Sequence, residues 1–256
     1  MRILLTNDDG IYAPGIHALL PVLSQLGEVS IVAPDRERSA TGHGITVHHP
    51  LRVEHYCIPD SQVCAWMVNG TPADCVKIAI QALLPEKPDL VVSGINAGSN
   101  LGTDVLYSGT VSAAVEGAIL GVPAVAVSLD QHVDPNFSYA APLTKLIIER
   151  MLQNGLPPNT LLNINVPAGG EADIRGLAIT KLGNRHYENS FERREDPRGK
   201  VYYWMCGNVV DAENDPDSDV SAIEKGYVSV SPVHFDLTSY QIMHMLENWQ
   251  LHDVLK

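Results

Sequence analysis

Two adjacent carboxylates follow the first apolar run of the chain. The sequence opens with Ile3-Leu4-Leu5 and continues into Asn7-Asp8-Asp9-Gly10. A short apolar run that ends in a turn predicts a strand buried on both faces. At the carboxyl end of such a strand, two carboxylates face the ligand crevice and repel each other unless a cation neutralises them. Oxygen ligands suit Mg²⁺, Mn²⁺ or Ca²⁺, so the prediction is a metal site; the alternative is a solvated Asp-Asp-Gly turn.

A long polar stretch rich in glycine and hydroxyl side chains is the second candidate. It follows the apolar run 89–93 and leads into a helix predicted to start around Ser108-Gly109-Thr110. That helix consists almost wholly of small apolar residues, which is typical of a buried helix. Free N–H groups and hydroxyls at a helix N-terminus bind phosphate without basic residues. The alternative is a long surface loop with a serine N-cap, although loops of more than about a dozen residues are usually functional.

A third polar segment, 35–44, follows the second predicted strand. Its position puts it at the same sheet edge as the two carboxylates, so its hydroxyls are candidates to hold a metal or a phosphate; the simpler interpretation is an ordinary surface loop. His43 is a weak candidate for substrate contact, and a solvated imidazole is favoured. Arg36 and Arg38 either steer an anionic substrate or face solvent beside Glu37.

Motifs and charge exclude several classes of function. Neither the Gly-Lys-Ser/Thr end of a Walker A motif nor a Gly-x-Gly-x-x-Gly fingerprint is found, so ATP and NAD binding are not supported. The 256 residues carry a formal net charge of −13, which argues against a surface that coats nucleic acid. An anionic substrate is still compatible, because a bound dication can reverse the sign locally. No membrane span or signal peptide is recognised, so a cytoplasmic location is expected.

Cysteine usage fits the same compartment. The four cysteines show no Cys-x-x-Cys spacing and are Cys57, Cys64, Cys75 and Cys206. A chain of this size does not depend on disulfides for its core. They are therefore expected to be mostly buried thiols in a reducing cytoplasm.

The elements around these residues alternate between strand and helix. Residues 14–26 have apolar side chains at helical spacing between the first strand and a second at 29–34, which predicts a βαβ unit and a parallel sheet. Thr71 and Pro72 mark the start of a further helix that runs to about Leu84. The remaining predictions in this part are strands at 51–56, 63–68, 122–128 and 161–166 and a helix at 140–152.

The C-terminal third has a different character. Residues 174–206 predict a projecting β-hairpin with a charged tip, and its aromatic run 201–205 suits a partner surface or core packing. The acidic segment 209–219 (Asp211, Glu213, Asp215, Asp217, Asp219) is predicted to be a solvated loop and not a second metal site. Residues 227–235 predict a late strand, in which Pro232 indicates an edge. Thr238 is predicted to cap a final helix that runs to about Leu251.

Five short motifs, in order, resemble those of a known family. They are Thr6-Asn-Asp-Asp-Gly10, Ala33-Pro-Asp-Arg-x-Arg-Ser39, Val68-Asn-Gly-Thr-Pro-Ala-Asp74, Ser93-Gly-Ile-Asn-x-Gly-x-Asn-x-Gly102 and Tyr107-Ser-Gly-Thr110. Together they are similar to the stationary-phase survival protein SurE family of metal-dependent 5′/3′-nucleotidases. The C-terminal third matches that family only in general layout.

The resemblance implies a set of site residues. One divalent cation per subunit, Mg²⁺ or Mn²⁺, is implied at Asp8, Asp9, Ser39 and Asn96, and the two aspartates are also the implied catalytic residues. The phosphoryl group is implied to lie beside Ser108, Gly109 and Thr110, with Asn96 and Asn100 in the same pocket. Two departures from the family pattern, Ala40-Thr41 and Ser112, are expected to change loop shape and leave the chemistry intact.

The same resemblance implies a fold and an activity. The fold is α/β, a Rossmann-like mostly parallel sheet flanked by helices, with a C-terminal β-hairpin arm and a terminal helix that support a homodimer or homotetramer. A single domain is expected, with a catalytic core at 1–170 and the arm, late strand and terminal helix at 171–256. The activity is hydrolysis of nucleoside 5′- and 3′-monophosphates, an acid-phosphatase type of reaction, with short polyphosphate as a further substrate.

Two questions stay open at this level. A protein that binds nucleotides through the same metal and phosphate site, without turnover, is the alternative function. Within the enzyme hypothesis, the phosphoryl group is transferred either directly to water, with one aspartate as general base, or through a phospho-aspartate intermediate. The sequence does not choose between these routes.

Overall fold

A nine-stranded sheet forms the centre of the protein. The computed structural model describes residues 1–58, 63–188, 191–211, 215–251 and 254. The strands of this sheet are β1 (Arg2–Thr6), β2 (Glu28–Pro34), β3 (Val53–His55), β4 (Cys64–Val68), β5 (Leu90–Ala97), β6 (Ala124–Asp130), β7 (Thr160–Pro167), β8 (Gly176–Ile179) and β13 (Tyr227–His234). Their spatial order is β3-β4-β2-β1-β5-β6-β7-β13-β8. The sheet is parallel except for the β3–β4 and β7–β13 pairs, which confirms the predicted α/β fold.

The order of the strands changes direction at β1. From β1 the chain first builds outward through β2 and β4 on one side, and then returns to add β5, β6 and β7 on the other. β1 pairs in parallel with both β2 and β5. Ligands of open α/β sheets bind outside the carboxyl ends of the strands at such a switch point. The end of β1 is therefore where a site is expected.

Helices cover both faces of the sheet. Their bounds are α1 (Pro14–Leu23), α2 (Pro72–Ile78), α3 (Gly109–Ile119), α4 (Ala140–Asn154), α5 (Asp219–Glu224) and α6 (Tyr240–Glu247), with a π-helical turn at Ala79–Leu83 and 3₁₀ turns at Gly102–Leu106 and Glu171–Asp173. Successive side chains of β1 point to opposite faces, so Ile3 and Leu5 pack with α1 and α4 while Leu4 packs with α2 and α3. This explains why the three central positions of β1 are all apolar.

The predicted hairpin arm is present. β10 (Phe191–Glu195) pairs antiparallel with β11 (Val201–Met205), and β9 (Arg185–Glu188) pairs with β12 (Asn208–Asp211). The aromatic run of β11 is exposed, so within this chain it forms a surface and not a core. The division of the chain at residue 170 stays a prediction.

The late strand lies inside the sheet, so the predicted edge position is wrong. β13 pairs with β7 from Ser229 to His234 but with β8 only from Tyr227 to Val230. The Val230 carbonyl accepts the Thr180 N–H on the β8 side, and Pro232, two residues on, directs its imide nitrogen to that same side. Proline is tolerated because β8 has ended there, leaving no ladder hydrogen bond for its missing N–H.

Other C-terminal predictions also need correction. The final helix begins at Tyr240 with Ser239 at the N-cap, and Thr238 instead donates its backbone N–H to Asp236. In the acidic segment, Asp219 is fully buried and not solvated, whereas Asp215 and Asp217 pair with Lys181 at the surface. Glu213 lies outside the described residues.

The prediction of mostly buried cysteines is wrong for this chain. The four cysteines form no disulfide among the described residues, and only Cys75 is buried. No helix of the described residues combines the length and the apolar composition needed to cross a membrane.

Candidate functional site

Asp8 and Asp9 lie in a tight turn at the carboxyl end of β1. The Asn7 side-chain amide donates to the Gly10 carbonyl at 2.9 Å and closes the turn. Gly10 has φ +97°, a left-handed conformation that favours glycine, and a Cβ there would lie 3.0 Å from the carbonyl carbon of Arg36. The turn that ends the strand thus fixes both carboxylates at the switch point.

The Asp8 carboxylate is buried against the N-terminus of α3. Its Oδ1 atom accepts a short hydrogen bond from the Thr110 hydroxyl, and its main-chain carbonyl accepts the Arg38 N–H at 2.7 Å. Burial raises the pKa of Asp8 to about 6; the Thr110 bond opposes this shift, and the neighbouring Asp9 adds to it. The carboxylate is therefore desolvated and costly to ionise without a cation.

Gly109 allows Asp8 to approach the helix. A Cβ on Gly109 would lie 2.8 Å from Asp8 Cβ and 2.9 Å from Asp8 Oδ2. Such separations are shorter than any van der Waals contact, so only glycine fits here. The structure thus brings together Asp8, Gly109 and Thr110, three of the predicted site residues.

Asp9 is half-buried and faces the neighbouring strand β5. Its Oδ2 atom accepts the backbone N–H of Ala97 at 3.2 Å, which places the carboxylate beside Asn96. Burial raises the pKa of Asp9; the Ala97 bond lowers it, Glu37 raises it further and His132 lowers it. The two aspartates therefore face different partners, Asp8 towards α3 and Asp9 towards the end of β5.

The start of α3 has the features of a phosphate-binding helix terminus. Ser108 is the N-cap, and its hydroxyl accepts the Val111 N–H at 3.1 Å while its carbonyl accepts the Ser112 N–H. The N–H groups of Gly109 and Thr110 have no intrahelical acceptor, because they belong to the first turn of the helix. They provide donors for an anion beside the Asp8 carboxylate.

Ser39 lies in the loop that follows β2. This loop is distant from Asp8 in sequence, but its backbone contacts the Asp8 turn. Its neighbour Arg38 donates its backbone N–H to the Asp8 carbonyl, so the loop is attached to the β1 turn. The Ser39 hydroxyl itself is exposed and donates to Glu37 at 2.7 Å. The structure therefore brings the Ser39 segment to the site, with the hydroxyl turned to Glu37.

Arg38 does not simply face solvent, because its guanidinium pairs with Asp35 at 3.0 Å.

His43 is not the solvated imidazole that the sequence suggests. Its Nε2 atom lies 2.8 Å from Oε2 of Glu116, a carboxylate of α3 with only 3 % of its side chain exposed. Lys77 of α2 donates to the other carboxylate oxygen at 2.7 Å. Burial raises the pKa of Glu116, but the hydrogen bonds from His43 and Lys77 outweigh burial and leave the pKa below its ordinary value. His43 thus fastens the Ser39 loop to α3.

The two predicted asparagines occupy different environments. Asn96, at the end of β5, is half-buried and donates its amide to the Gly98 carbonyl at 2.7 Å. Asn100 is buried: its side-chain amide donates to Ser128 Oγ at 2.7 Å and its backbone N–H to Asn165 Oδ1 at 2.8 Å. Asn96 is thus beside Asp9, whereas Asn100 belongs to a polar network beneath the loop.

Two neighbours of the site were missed by the sequence analysis. Glu37 and His132 are both close enough to Asp9 to shift its pKa. A Cβ on Gly98 would lie 2.0 Å from His132 Cε1, so the imidazole covers this glycine of the β5 loop. His132 follows β6, the strand next to β5, and only the strand order could have indicated that it reaches the site.

Comparison with known proteins identifies the family. The family model described as "Survival protein SurE" matches residues 3–189. The chain belongs to the SurE family. SurE relatives also match over nearly the whole length: the "5'-nucleotidase SurE" of Pelotomaculum thermopropionicum is 58% identical, covering 96% of this chain and 94% of that protein. The protein of the same name from Heliobacterium modesticaldum is 54% identical, covering 97% and 92%.

A solved SurE structure has the same fold. The crystal structure of the SurE protein from Aquifex aeolicus superposes with a TM-score of 0.84 at 40% identity, and the match covers 98% of this chain and 100% of that one. The similarity includes the C-terminal third, where the sequence motifs are least specific.

The donors of this SurE site suit a hard cation. Within the described part of the chain, no group of three or more histidine, cysteine or carboxylate side chains could hold a metal, so a cation here would combine two carboxylates with amide and hydroxyl oxygens. Among the described residues, no lysine or arginine ion pair includes Asp8 or Asp9. Burial raises the pKa of both carboxylates, so a bound divalent cation would favour their ionised forms.

Proposed function

We propose that this SurE-family protein is a metal-dependent nucleotidase that releases phosphate from nucleoside monophosphates. The observation that carries the proposal is the contact between the buried Asp8 carboxylate and the N-terminus of α3. This contact puts a site for a cation next to backbone donors for a phosphoryl group. Relatives at 54–58% identity carry the name 5'-nucleotidase SurE, which supports the same assignment.

We assign one divalent cation per subunit, Mg²⁺ or Mn²⁺, to Asp8, Asp9, Ser39 and Asn96. The carboxylates supply its negative ligands, and the Asn96 carbonyl oxygen and the Ser39 hydroxyl supply neutral ones. Ser39 has to exchange its bond to Glu37 for the cation, a rotation of one side chain. When bound, the cation supplies Lewis acidity and neutralises charge on the phosphoryl oxygens.

We assign the phosphoryl group to the first turn of α3. The N–H groups of Gly109 and Thr110 donate to its oxygens, and the helix dipole favours its negative charge. Such donors strengthen as charge develops in the transition state. Asn100 forms part of the floor of the proposed phosphate pocket. It is not assigned a bond to phosphate, because its side-chain amide already donates to Ser128.

Asp8 and Asp9 also serve as the candidate catalytic groups. The Asp8 carboxylate contacts the first turn of α3, and Asp9 is its neighbour in the same turn, so either carboxylate is close to the assigned phosphoryl group. In the direct route, one of them accepts the proton of the attacking water as the phosphorus–oxygen ester bond breaks. In the covalent route, one carboxylate oxygen attacks phosphorus and displaces the nucleoside oxygen, and water then cleaves the phospho-aspartate to phosphate and the free carboxylate. In both routes the departing nucleoside oxygen takes up a proton from solvent.

The proposal extends to substrates and assembly. Nucleoside 5′- and 3′-monophosphates are the proposed substrates, with short polyphosphate as a further one, because the donors described contact phosphate and not base. We propose a homodimer or homotetramer formed through the C-terminal region, where the exposed aromatic side chains of β11 lie. The formal net charge of −13 argues against a nucleic-acid polymer as a partner.

The test is phosphate release from a panel of nucleoside 5′- and 3′-monophosphates with Mg²⁺ or Mn²⁺. Wild type is compared with Asp8→Asn and with Asp89→Asn, which changes an exposed aspartate at the amino end of β5 that is bonded to Arg2. We expect metal-dependent turnover that Asp8→Asn abolishes and Asp89→Asn leaves intact. If no metal supports turnover but calorimetry detects nucleotide binding, the protein is a sensor and the enzyme proposal is wrong.

A further inference from the structure

The 3₁₀ turn before the phosphate-binding helix is fastened to the base of the hairpin arm. Asp104 in this turn accepts a bond from the Tyr187 hydroxyl at 2.6 Å and pairs with Arg185 Nη1 at 3.2 Å. The side chains of Asp104 and Arg185 are each only 16% exposed, so the pair is shielded from water and salt. Asp104, Arg185 and Tyr187 are called the arm-root clamp below.

The backbone of the same aspartate holds the start of α3. The Asp104 carbonyl accepts the N–H of Tyr107 at 2.9 Å and the N–H of Ser108 at 3.0 Å. Ser108 is the N-cap of α3, and the proposed phosphate donors Gly109 and Thr110 follow it directly. One residue therefore connects the arm, through its side chain, to the phosphate-binding turn, through its carbonyl.

Neighbouring contacts strengthen the connection. The Thr103 hydroxyl donates to the Arg185 carbonyl at 2.8 Å. The buried Asp219 carboxylate accepts the Gly102 N–H at 2.8 Å and the Gly183 N–H at 2.7 Å, and so joins the start of the turn to the chain that enters the arm. These bonds link segments about eighty residues apart in sequence, as the separation of 83 between Tyr187 and Asp104 illustrates.

We propose that Asp104 is a positioning residue for the nucleotidase reaction, and that the arm-root clamp holds the first turn of α3 in its phosphate-binding conformation. The inference rests on the proposed function of that turn. A clamp of this kind acts on the fraction of molecules whose turn is competent to bind, and the apparent affinity for phosphate falls in proportion to that fraction. Once phosphate is bound, the turn is in place and chemistry proceeds normally.

Loss of the arm-root clamp should change KM and not kcat, whereas general destabilisation should not. Asp104→Asn and Tyr187→Phe should each raise KM for a nucleoside monophosphate about three- to tenfold, with kcat nearly unchanged. The inhibition constant of inorganic phosphate should rise by the same factor. A variant that merely unfolds part of the protein would lower the active fraction, and so kcat, at constant KM.

The experiment uses the full-length, metal-loaded protein and four forms: wild type, Asp104→Asn, Tyr187→Phe and the double variant. Because both changes break one contact, Tyr187→Phe should add little to KM in the Asp104→Asn background. Asp215→Asn is the matched control, since it removes an exposed ion pair with Lys181 in the C-terminal third by the same substitution. KM and the phosphate inhibition constant should not change in this control.

Hydrogen exchange separates the clamp from the proposed activity. The amides of Tyr107 and Ser108 should exchange faster in Asp104→Asn and Tyr187→Phe than in wild type or Asp215→Asn, whether or not the protein turns over nucleotides. Unchanged exchange at these amides overturns the clamp. So does a loss of kcat at constant KM, or additive effects in the double variant. A wild type without turnover would count against the nucleotidase function alone.

Discussion

At the scale of single residues, the site depends on the close approach of Asp8 to α3. The Cβ that alanine would place on Gly109 lies 2.8 Å from Asp8 Cβ, so Gly109→Ala must displace the carboxylate or the helix. Alanine is otherwise favourable at the first turn of a helix, because it loses less conformational entropy than glycine. We expect kcat/KM for nucleoside monophosphates to fall by roughly 100-fold, because a displacement of about 1 Å suffices for such a loss.

A matched glycine tests whether contact with Asp8 causes this loss. Gly170 has nothing within 4 Å of an added Cβ and no left-handed φ, so Gly170→Ala should leave kcat/KM unchanged. Thermal unfolding of Gly170→Ala should stay close to wild type, whereas Gly109→Ala should unfold at a lower temperature, because the overlap with Asp8 strains the folded state. Full activity in Gly109→Ala would show that the Asp8 carboxylate does not need its present position.

The residues of the site differ in how far the sequence could predict them. Asp8 and Thr110 belong to short motifs at the ends of a strand and the start of a helix, where local patterns are informative. His132 carries no such pattern, because its place depends on β6 lying next to β5. The role of Glu116 could not be predicted from sequence either, because a charged residue on a buried helix is explained only by the partners that pack against it in the fold.

At the scale of elements, Glu116 joins three segments that sequence separates. It lies on α3, Lys77 on α2 and His43 on the loop that carries Ser39, and both partners donate to its buried carboxylate. These are the charged groups that face Glu116, and their bonds leave its pKa below the ordinary value. The ionised carboxylate is thus favoured in the folded protein over the unfolded chain.

The pH dependence of stability follows from this direction. With a folded pKa below the unfolded value of 4.5, the unfolded chain binds more protons in the interval between them. The stabilisation by Glu116 is therefore complete above pH 4.5 and is lost as the pH falls through the folded pKa. At pH 7, Glu116→Gln should reduce the free energy of unfolding by about 1–3 kcal/mol, a difference that should shrink below pH 4.5.

Urea unfolding at several pH values measures this difference. The control is Glu149→Gln, which changes an exposed pair with Lys145 at 3.6 Å on α4 and should have a small effect at every pH. A difference between wild type and Glu116→Gln that is constant from pH 7 to pH 3 would contradict the assigned role of the ionised carboxylate.

Elements with local signals were predicted best. Thr71 is the N-cap of α2 and Pro72 lies in its first turn, as predicted, and Thr71 forms a capping box with Asp74. The position of β13 could not be predicted in the same way, because strand pairing is a long-range property. Pro232 indicates only that one side of β13 lacks a hydrogen-bonding neighbour at that position. β8 is the neighbour on that side, and it is missing along only part of β13.

At the scale of the whole molecule, one large sheet carries the site and the arm extends a separate apolar surface. Phe191, Tyr203, Trp204 and Met205 on the paired strands β10 and β11 are 59–77% exposed. Large exposed apolar groups clustered on a monomer indicate an interface. A chain with a net charge of −13 repels its own copies, so apolar burial must drive its association.

The proposed oligomer can be tested on this surface. Trp204→Glu adds a charge to the centre of the exposed strand, and burying that charge in an interface is unfavourable without a partner. We expect sedimentation velocity to show a lower mass than wild type at the same protein concentration, with the far-ultraviolet circular dichroism unchanged. Val133→Glu introduces the same charge at a residue that is 78% exposed and belongs to the loop after β6 and not to the arm, and it should retain the wild-type mass. If Trp204→Glu also keeps the wild-type mass, the arm is not the interface, and the exposed side chains of α6, including Ile242 and Met243, become the surface to change next.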